Sequence, residues 1–295
     1  MASPDTNRPL VSIGLPVFNG AQFIRAGIES LLAQECADFE LIISNNASTD
    51  ETESICREFA ARDHRVRVIS QARNIGAIPN FGAVLGEARG EFFMWAAADD
   101  RWHPQFIARL VSELHGFTEA GVALSAVRRV TEEGGEVDCI RLNGPQNPNS
   151  LEARGLFTAI TSPPKSKYNL YIYGLYRRAL LARLYPSLTT AANGDRIFVA
   201  VLALCTRFRY VDEVLQTRMI RTAPLAKRYP DEQFVKMQQR GLLGDLQTAW
   251  HLGKSVLRCD LVPWRRKFCA LPGMLGFLRL LRDVRNRQKQ AASAR

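Results

Sequence analysis

LVSIGLPV at residues 10–17, a stretch of helical periodicity over 21–34 and FELIIS at 39–44 together decide the fold. A short apolar run, then Ile24, Ile28, Leu31 and Leu32 on one helical face, then a second apolar run is the pattern of a parallel strand, its crossover helix and the next strand. The pattern continues outward. Ser48-Thr49-Asp50-Glu51 has capping-box spacing for a helix through Phe59, Val66 to Ser70 reads as a third strand, 79–88 as a helix and Glu91 to Ala97 as a fourth strand. Pro104 suits the first turn of a helix carrying Phe106, Ile107, Leu110, Val111 and Leu114. The first third of the chain is therefore βαβαβαβα.

Beyond residue 120 the pattern loosens. Val122 to Val130 and Glu136 to Leu142 flank Glu133-Gly134-Gly135 and predict a hairpin. Residues 143–150 and 162–167 are loops by composition, Asn169 to Gly174 reads as a strand, and helices are predicted near 177–185 and 195–205. Two short paired strands are predicted at 208–211 and 214–220, and helix from 230 onward. Gly82, Gly86 and Gly90 share a four-residue spacing that points to close helix-to-sheet packing in so polar a setting.

Composition narrows the class. The chain has 295 residues, 46% hydrophobic and 23% charged, which excludes global disorder, and its longest apolar run, Ile197 to Cys205, is far short of the ~20 residues that span a bilayer. Met1 to Pro9 carries no secretory signature, so the sequence predicts a cytosolic chain or one at the inner face of a membrane. Six scattered cysteines and four histidines without zinc spacing argue against a disulfide scaffold or structural zinc. The net charge of +10 is localised: residues 1–221 hold 24 Lys+Arg against 24 Asp+Glu, and residues 222–295 hold 15 against 5. A neutral body with a basic tail argues against a nucleic-acid binder. The tail is either a bundle helix with a solvated basic face or an interfacial helix on anionic lipid over about residues 256–290, the latter favoured by Trp264-Arg265-Arg266-Lys267-Phe268.

In an open parallel sheet ligands bind at the carboxyl ends of the strands. Those ends carry Pro16-Val17-Phe18-Asn19, Asn45-Asn46, Arg73-Asn74-Ile75-Gly76 and Ala98-Asp99-Asp100. This set offers an aromatic face, amides, a guanidinium beside a glycine turn, and two adjacent carboxylates suited to a hard divalent cation.

Taken jointly, these segments resemble glycosyltransferase family 2, the nucleotide-sugar enzymes of GT-A fold. Pro16-Val17-Phe18-Asn19 is similar to the family's P-V-Y-N, Glu40 to Asp50 (ELIISNNASTD) to E-L-I-I-V-D-D-G-S-T-D, Arg73-Asn74-Ile75-Gly76 to R-N-x-G, and Trp95 to Pro104 to L-D-x-D-D-x-x-x-P. The likeness is specific over residues 10–116, looser over 117–221, and does not reach the tail. It implies an α/β, Rossmann-like GT-A sheet with helices on both faces plus a basic helical C-terminal segment. The partition it suggests is 1–116 for nucleotide-sugar binding, 117–221 for the acceptor-binding and catalytic half of the same domain, and 222–295 as an extension.

The resemblance also implies roles. Phe18 stacks on the base, Asn45 stands where an acidic residue reads the base edge, and Pro16, Asn19, Arg73, Asn74, Gly76, Ala98 and Arg221 belong to the nucleotide site. Asp99 matches the last acid of D-x-D and holds Mg²⁺ or Mn²⁺ against the diphosphate; Ala97 replaces the first acid, and Asp100 is the candidate to compensate. Asn193-Gly194-Asp195 is similar to the element carrying the catalytic base, so Asp195, 96 residues beyond Asp99, is that base or else only a favourable acid in a helix's first turn. Arg221 replaces a family histidine. The implied function is inverting transfer of a sugar from a nucleoside-diphosphate donor to a glycan or lipid-linked acceptor, in bacterial surface-polysaccharide synthesis. The rivals are an inactive nucleotide-binding scaffold of this fold and a sugar nucleotidyltransferase, which would want a Gly-rich basic loop after the first strand. A P-loop is excluded because G-x-x-x-x-G-K-[ST] does not occur.

Overall fold

The computed structural model describes residues 8–142, 168–185, 194–221 and 242–268, with positions 157, 282 and 286. The loops expected at 143–150 and 162–167, and the basic segment from 269 onward apart from those two positions, lie outside the described residues.

The described residues form two compact units interleaved in sequence. The first takes in residues up to Leu142, Tyr173–Arg183 and the described residues from Arg209 through Arg221. The second contains the remaining described residues.

The alternation read at the N-terminus is what forms. Strands β1 (Val11–Val17), β2 (Phe39–Asn45), β3 (Val66–Ser70) and β4 (Phe92–Trp95) alternate with helices α1 (Ala21–Leu32), α2 (Thr52–Arg62) and α3 (Ala77–Gly86). After β4 come β5 (Arg101–Trp102), α4 (Phe106–Gly116), β6 (Ala120–Thr131) and β7 (Glu136–Ile140). The parallel strands run in the order β3-β2-β1-β4, with Val11–Val17 in register with Phe39–Asn45 and Val11–Gly14 with Phe92–Trp95. Every residue of β2 and β4 is buried, which explains why Leu41–Ile43 and Phe92–Trp95 read as apolar runs rather than alternating ones. The chain order reverses between β1 and β4, so the carboxyl ends of β1, β2 and β4 open on one crevice.

Two expectations are corrected. Asn169 to Gly174 is a 3₁₀ turn (Tyr168–Tyr173) leading into a three-residue strand, β8 (Leu175–Arg177), which pairs antiparallel with β4 and β6. The two short strands at 208–211 and 214–220 are one continuous strand, β9 (Arg207–Ile220). Its charged middle, Asp212 and Glu213, is held by Arg141 and Arg109, so the charges interrupt the pattern without breaking the strand. The remaining helices are α5 (Arg178–Leu184), α6 (Gly194–Cys205), α7 (Leu242–Arg258) and α8 (Trp264–Lys267).

A buried ionic knot secures the amino-terminal edge of the parallel sheet. Glu40, 4% exposed, accepts from Ser12 Oγ (2.7 Å), Arg89 N (2.9 Å), Arg89 Nη2 (3.0 Å) and Arg67 Nη2 (3.2 Å). Burial pushes this carboxyl's pKa up, but the Ser12 and Arg89 donors outweigh it and hold the group below its ordinary value. A depressed native pKa means the unfolded chain binds more protons, so this contribution is present above the unfolded pKa and lost as pH falls through the folded one. Glu40→Gln is expected to cost about 2 kcal/mol at neutral pH and to flatten the acid limb of stability. Urea unfolding between pH 3 and 8 measures both.

Candidate active site

Four stretches meet at the carboxyl end of the parallel strands, all in the first unit. After β1, Asn19 turns the chain with φ 50°, a conformation asparagine tolerates. Its Oδ1 accepts from Thr49 N (2.8 Å), its own N–H donates to Ser48 Oγ (2.9 Å), and Gly20 N donates to Thr52 Oγ1 (2.8 Å). Asp50 completes the junction, accepting from Ala21 N (3.0 Å) and Thr52 N (3.1 Å), so one carboxylate satisfies N–H groups at the starts of both α1 and α2. The Ser-Thr-Asp segment read as a capping box for one helix is in fact a clasp between two strand ends.

The amides act inside this clasp. Asn45 is fully buried; its Nδ2 donates to Glu53 (3.1 Å) and its Oδ1 accepts from Ser48 N (3.2 Å). Asn45, expected to read a base edge, thus has its amide engaged by Glu53 of α2 and by the Ser48 N–H of the loop that follows β2. Asn46, 2% exposed, donates to Asn74 Oδ1 (2.9 Å) and accepts from Ile75 N (2.9 Å), tying the β2 loop to the segment Arg73 to Gly76. Asn74 Oδ1 also accepts from Gly76 N (2.8 Å), and Gly76 precedes α3 with φ 87°, which requires glycine. Ala47, where the resemblance has glycine, likewise carries a positive φ of 56°. Phe18 and Pro16 are half-buried at the end of β1, and Arg73 is exposed.

The acidic pair and the end of β9 form the electrostatic centre. Asp99, half-buried, accepts from Arg221 Nε at 2.8 Å, and the Arg221 guanidinium lies 4.5 Å from the centroid of the Phe23 ring on α1. Asp100 differs entirely: 1% exposed, it accepts from Gln216 Nε2 (2.9 Å) and Met219 N (3.3 Å). Burial pushes its pKa up to about 7 against the pull of the Arg218 guanidinium. Arg218 lies 4.9 Å from the Tyr173 ring, with a buried Nη1 that has no hydrogen-bond partner among the described residues. The short pairing of β5 with β9, Arg101 opposite Thr217 and Trp102 opposite Gln216, brings the two segments together.

Asp100, expected from the sequence as a second metal ligand, lies buried with one oxygen accepting from Gln216 and the other from the Met219 N–H of β9. Among the described residues there is no group of three or more His, Cys, Asp or Glu side chains suited to a metal. The half-buried Asp99 carboxylate fits one corner of an Mg²⁺ or Mn²⁺ site whose other ligands would include phosphate oxygens and water. Arg221 and Arg218 add permanent positive charge with donor geometry matched to phosphate.

Sequence reasoning missed Arg218, Phe23 and Gly27. Gly27 had a legible signal, a glycine on the apolar face of α1 between Ile24 and Ile28. A Cβ there would lie 2.7 Å from the carbonyl oxygen of Ala98, so this glycine lets the Ala98-Asp99-Asp100 turn settle on the helix. Gly27→Ala is expected to cost about 1–3 kcal/mol and to displace the turn. Thermal unfolding, with and without a nucleoside diphosphate, reads both effects.

Asp195 lies in the second unit, in the first turn of α6, where its Oδ1 accepts from Arg196 N at 2.8 Å. The helix behind it is buried at every position from Ile197 to Leu204, and burial lowers the pKa of Arg196 against the pull of Asp195.

The family profile described as glycosyl transferase family 2 matches residues 12–184, and the chain belongs to that family. The fold is accordingly GT-A. An uncharacterised glycosyltransferase of Rickettsia typhi is 34% identical over 111 residues, 38% of this chain and 34% of the relative. The uncharacterised glycosyltransferase EpsJ of Bacillus subtilis is 37% identical over 106 residues, 36% of this chain and 30% of the relative. The chain thus spans about a third of the length of these curated relatives. Among solved structures, S. aureus TarS 1–349 in complex with UDP-GlcNAc superposes with a TM-score of 0.57 at 15% identity, covering 95% of this chain and 92% of that one. The mannosyltransferase PcManGT from Pyrobaculum calidifontis, in complex with GDP-Man and Mn²⁺, gives 0.54 at 19% identity, covering 98% and 77%.

Proposed function

We propose that the protein transfers a sugar from a nucleoside-diphosphate donor to a hydroxyl of a glycan or lipid-linked acceptor, with inversion, in the assembly of a bacterial surface polysaccharide. The observation that carries this reading is the Asp99–Arg221 pair at the carboxyl end of β4, beside the point where the strand order reverses. Family membership and the donors bound by similar folds, UDP-GlcNAc and GDP-Man, support it. Phe18 offers its ring to the base, with Pro16, Asn19, Arg73, Asn74, Gly76 and Ala98 around the nucleotide, and Arg221 with Arg218 binds the diphosphate. Asp99 would hold Mg²⁺ or Mn²⁺, which when bound neutralises charge on the departing diphosphate. Asp195 takes the proton from the acceptor hydroxyl as the anomeric carbon is attacked from the face opposite the leaving group. In this reading residues up to about 116 bind the donor, 117–221 supply the acceptor side, and 222–295 are an extension.

One observation favours the scaffold alternative: Asp99 is already paired with a cation of its own chain. Donor hydrolysis in Mn²⁺ separates the two. Metal-dependent release of nucleoside diphosphate supports the transferase; nucleotide binding without turnover supports the scaffold.

A further inference from the structure

Six large hydrophobic side chains are exposed among the described residues. Phe117 and Val137 lie apart, but Trp250 (68% exposed), Leu257 (66%), Trp264 (67%) and Phe268 (70%) fall within one 19-residue stretch of the second unit. The helix α7 accounts for the first two. Its inner face, Ala249, Leu252 and Val256, is buried, whereas Trp250, Lys254, Leu257 and Arg258 follow helical spacing along the outer face and are exposed. The outer apolar side chains are therefore not an unfinished core, since the inner face already supplies what α7 buries.

The short helix α8 extends this surface. Lys267 Nζ donates to Leu257 O (2.7 Å) and Arg266 Nη1 to Leu204 O (2.9 Å), fixing α8 against the carboxyl ends of α7 and α6. Held there, Trp264 and Phe268 stand one turn apart with their rings 6.2 Å centre to centre at 85°, and the Arg265 guanidinium lies 5.4 Å from the Trp264 ring. Residues 250–268 contain five cations, Lys254, Arg258, Arg265, Arg266 and Lys267, against one carboxylate, Asp260.

Exposed tryptophans interleaved with lysine and arginine on an outer helical face suit the boundary between acyl chains and anionic headgroups, where indole rings settle and basic side chains reach phosphate. No helix among the described residues is long and apolar enough to cross a membrane. We propose that residues 250–268 form an interfacial face that seats this unit on an anionic lipid bilayer. The inference goes beyond the transferase reading and is tested without any turnover.

The test is flotation of the full chain with vesicles of phosphatidylcholine alone or mixed with phosphatidylglycerol, at low and high salt. The chain is expected to float with the anionic vesicles, less so at high salt. W264A/F268A is expected to lower the bound fraction at least about tenfold, and R258E/R265E to lower it and abolish the salt dependence. Neither should shift the melting temperature, because these side chains are exposed. Brominated lipid should quench Trp250 and Trp264 but not Trp95 and Trp102, which are 0% and 3% exposed. Equal flotation with neutral and anionic vesicles, or variants that float like the wild type, would overturn the proposal. So would a concentration-dependent dimer, formed without vesicles and lost in W264A/F268A, which would assign the face to a second copy of the chain.

Discussion

Asp99→Ala is expected to lower donor turnover by at least about 10²-fold while leaving the protein folded. Its Oδ2 anchors the Arg221 guanidinium at 2.8 Å, and in the proposed function the same carboxylate would tether a hard cation, so a single substitution removes both tasks. Fold stability should change by only about 1 kcal/mol, because the pair is partly open to solvent and Arg221 keeps its contact with the Phe23 ring. Asp99→Asn separates the tasks: an amide oxygen can still accept from Arg221, but a neutral group binds a dication poorly. If tethering a cation is the larger role, Asp99→Asn falls as far as Asp99→Ala and the Mn²⁺ dependence moves to higher concentration. If anchoring Arg221 dominates, Asp99→Asn keeps most of the activity and Arg221→Ala reproduces the loss. Turnover that persists in Asp99→Ala in excess chelator would remove both roles.

The parallel half of the sheet was legible because burial on both faces writes Leu41–Ile43 of β2 and all of β4 as apolar runs, and one-sided burial writes α1 and α4 as periodic ones. Beyond it the signal failed for definite reasons. Two residues carry no periodicity, so β5 was invisible, although its pairing with β9 is what places Arg218 and Arg221 beside the acidic turn. Asp212 and Glu213 divided β9 on paper because the arginines that hold them, Arg141 and Arg109, come from distant segments. The site follows the same logic. Strand ends mark where ligands bind in such a sheet, and Asp99, Asn45 and Arg73 were named from their places after the strands. Which way an amide turns depends on tertiary neighbours: Asn45 bonds to Glu53 and Ser48, and Asn46 ties the β2 loop to Asn74 and Ile75, contacts that residue order does not show. Adjacent aspartates also look equivalent on paper. Gln216 and the Met219 N–H, more than a hundred residues away, separate Asp99 from Asp100.

Asp195→Asn is expected to lower transfer by about 10²–10⁴-fold, the range that a positioned general base contributes. The substitution keeps the shape and an oxygen able to accept from Arg196 N, so α6 should start where it does now. The apolar body of the helix, buried from Ile197 to Leu204, should be undisturbed. The diagnostic quantity is the contrast between binding and turnover. A nucleoside diphosphate should raise the melting temperature of Asp195→Asn as much as that of the wild type, because the donor contacts are assigned to other residues. The rate with saturating donor and acceptor should fall by the full factor, since removing a group that acts only as bonds change lowers kcat rather than ground-state affinity. Asp195→Glu adds a finer reading: it restores the charge but moves it along the helix, so partial recovery is expected if position matters and full recovery if only charge does. Should Asp195→Asn transfer sugar at the wild-type rate while losing a few tenths to 1 kcal/mol of stability, Asp195 is an acid that favours a helix N-terminus and nothing more, and the base must be sought elsewhere in the chain.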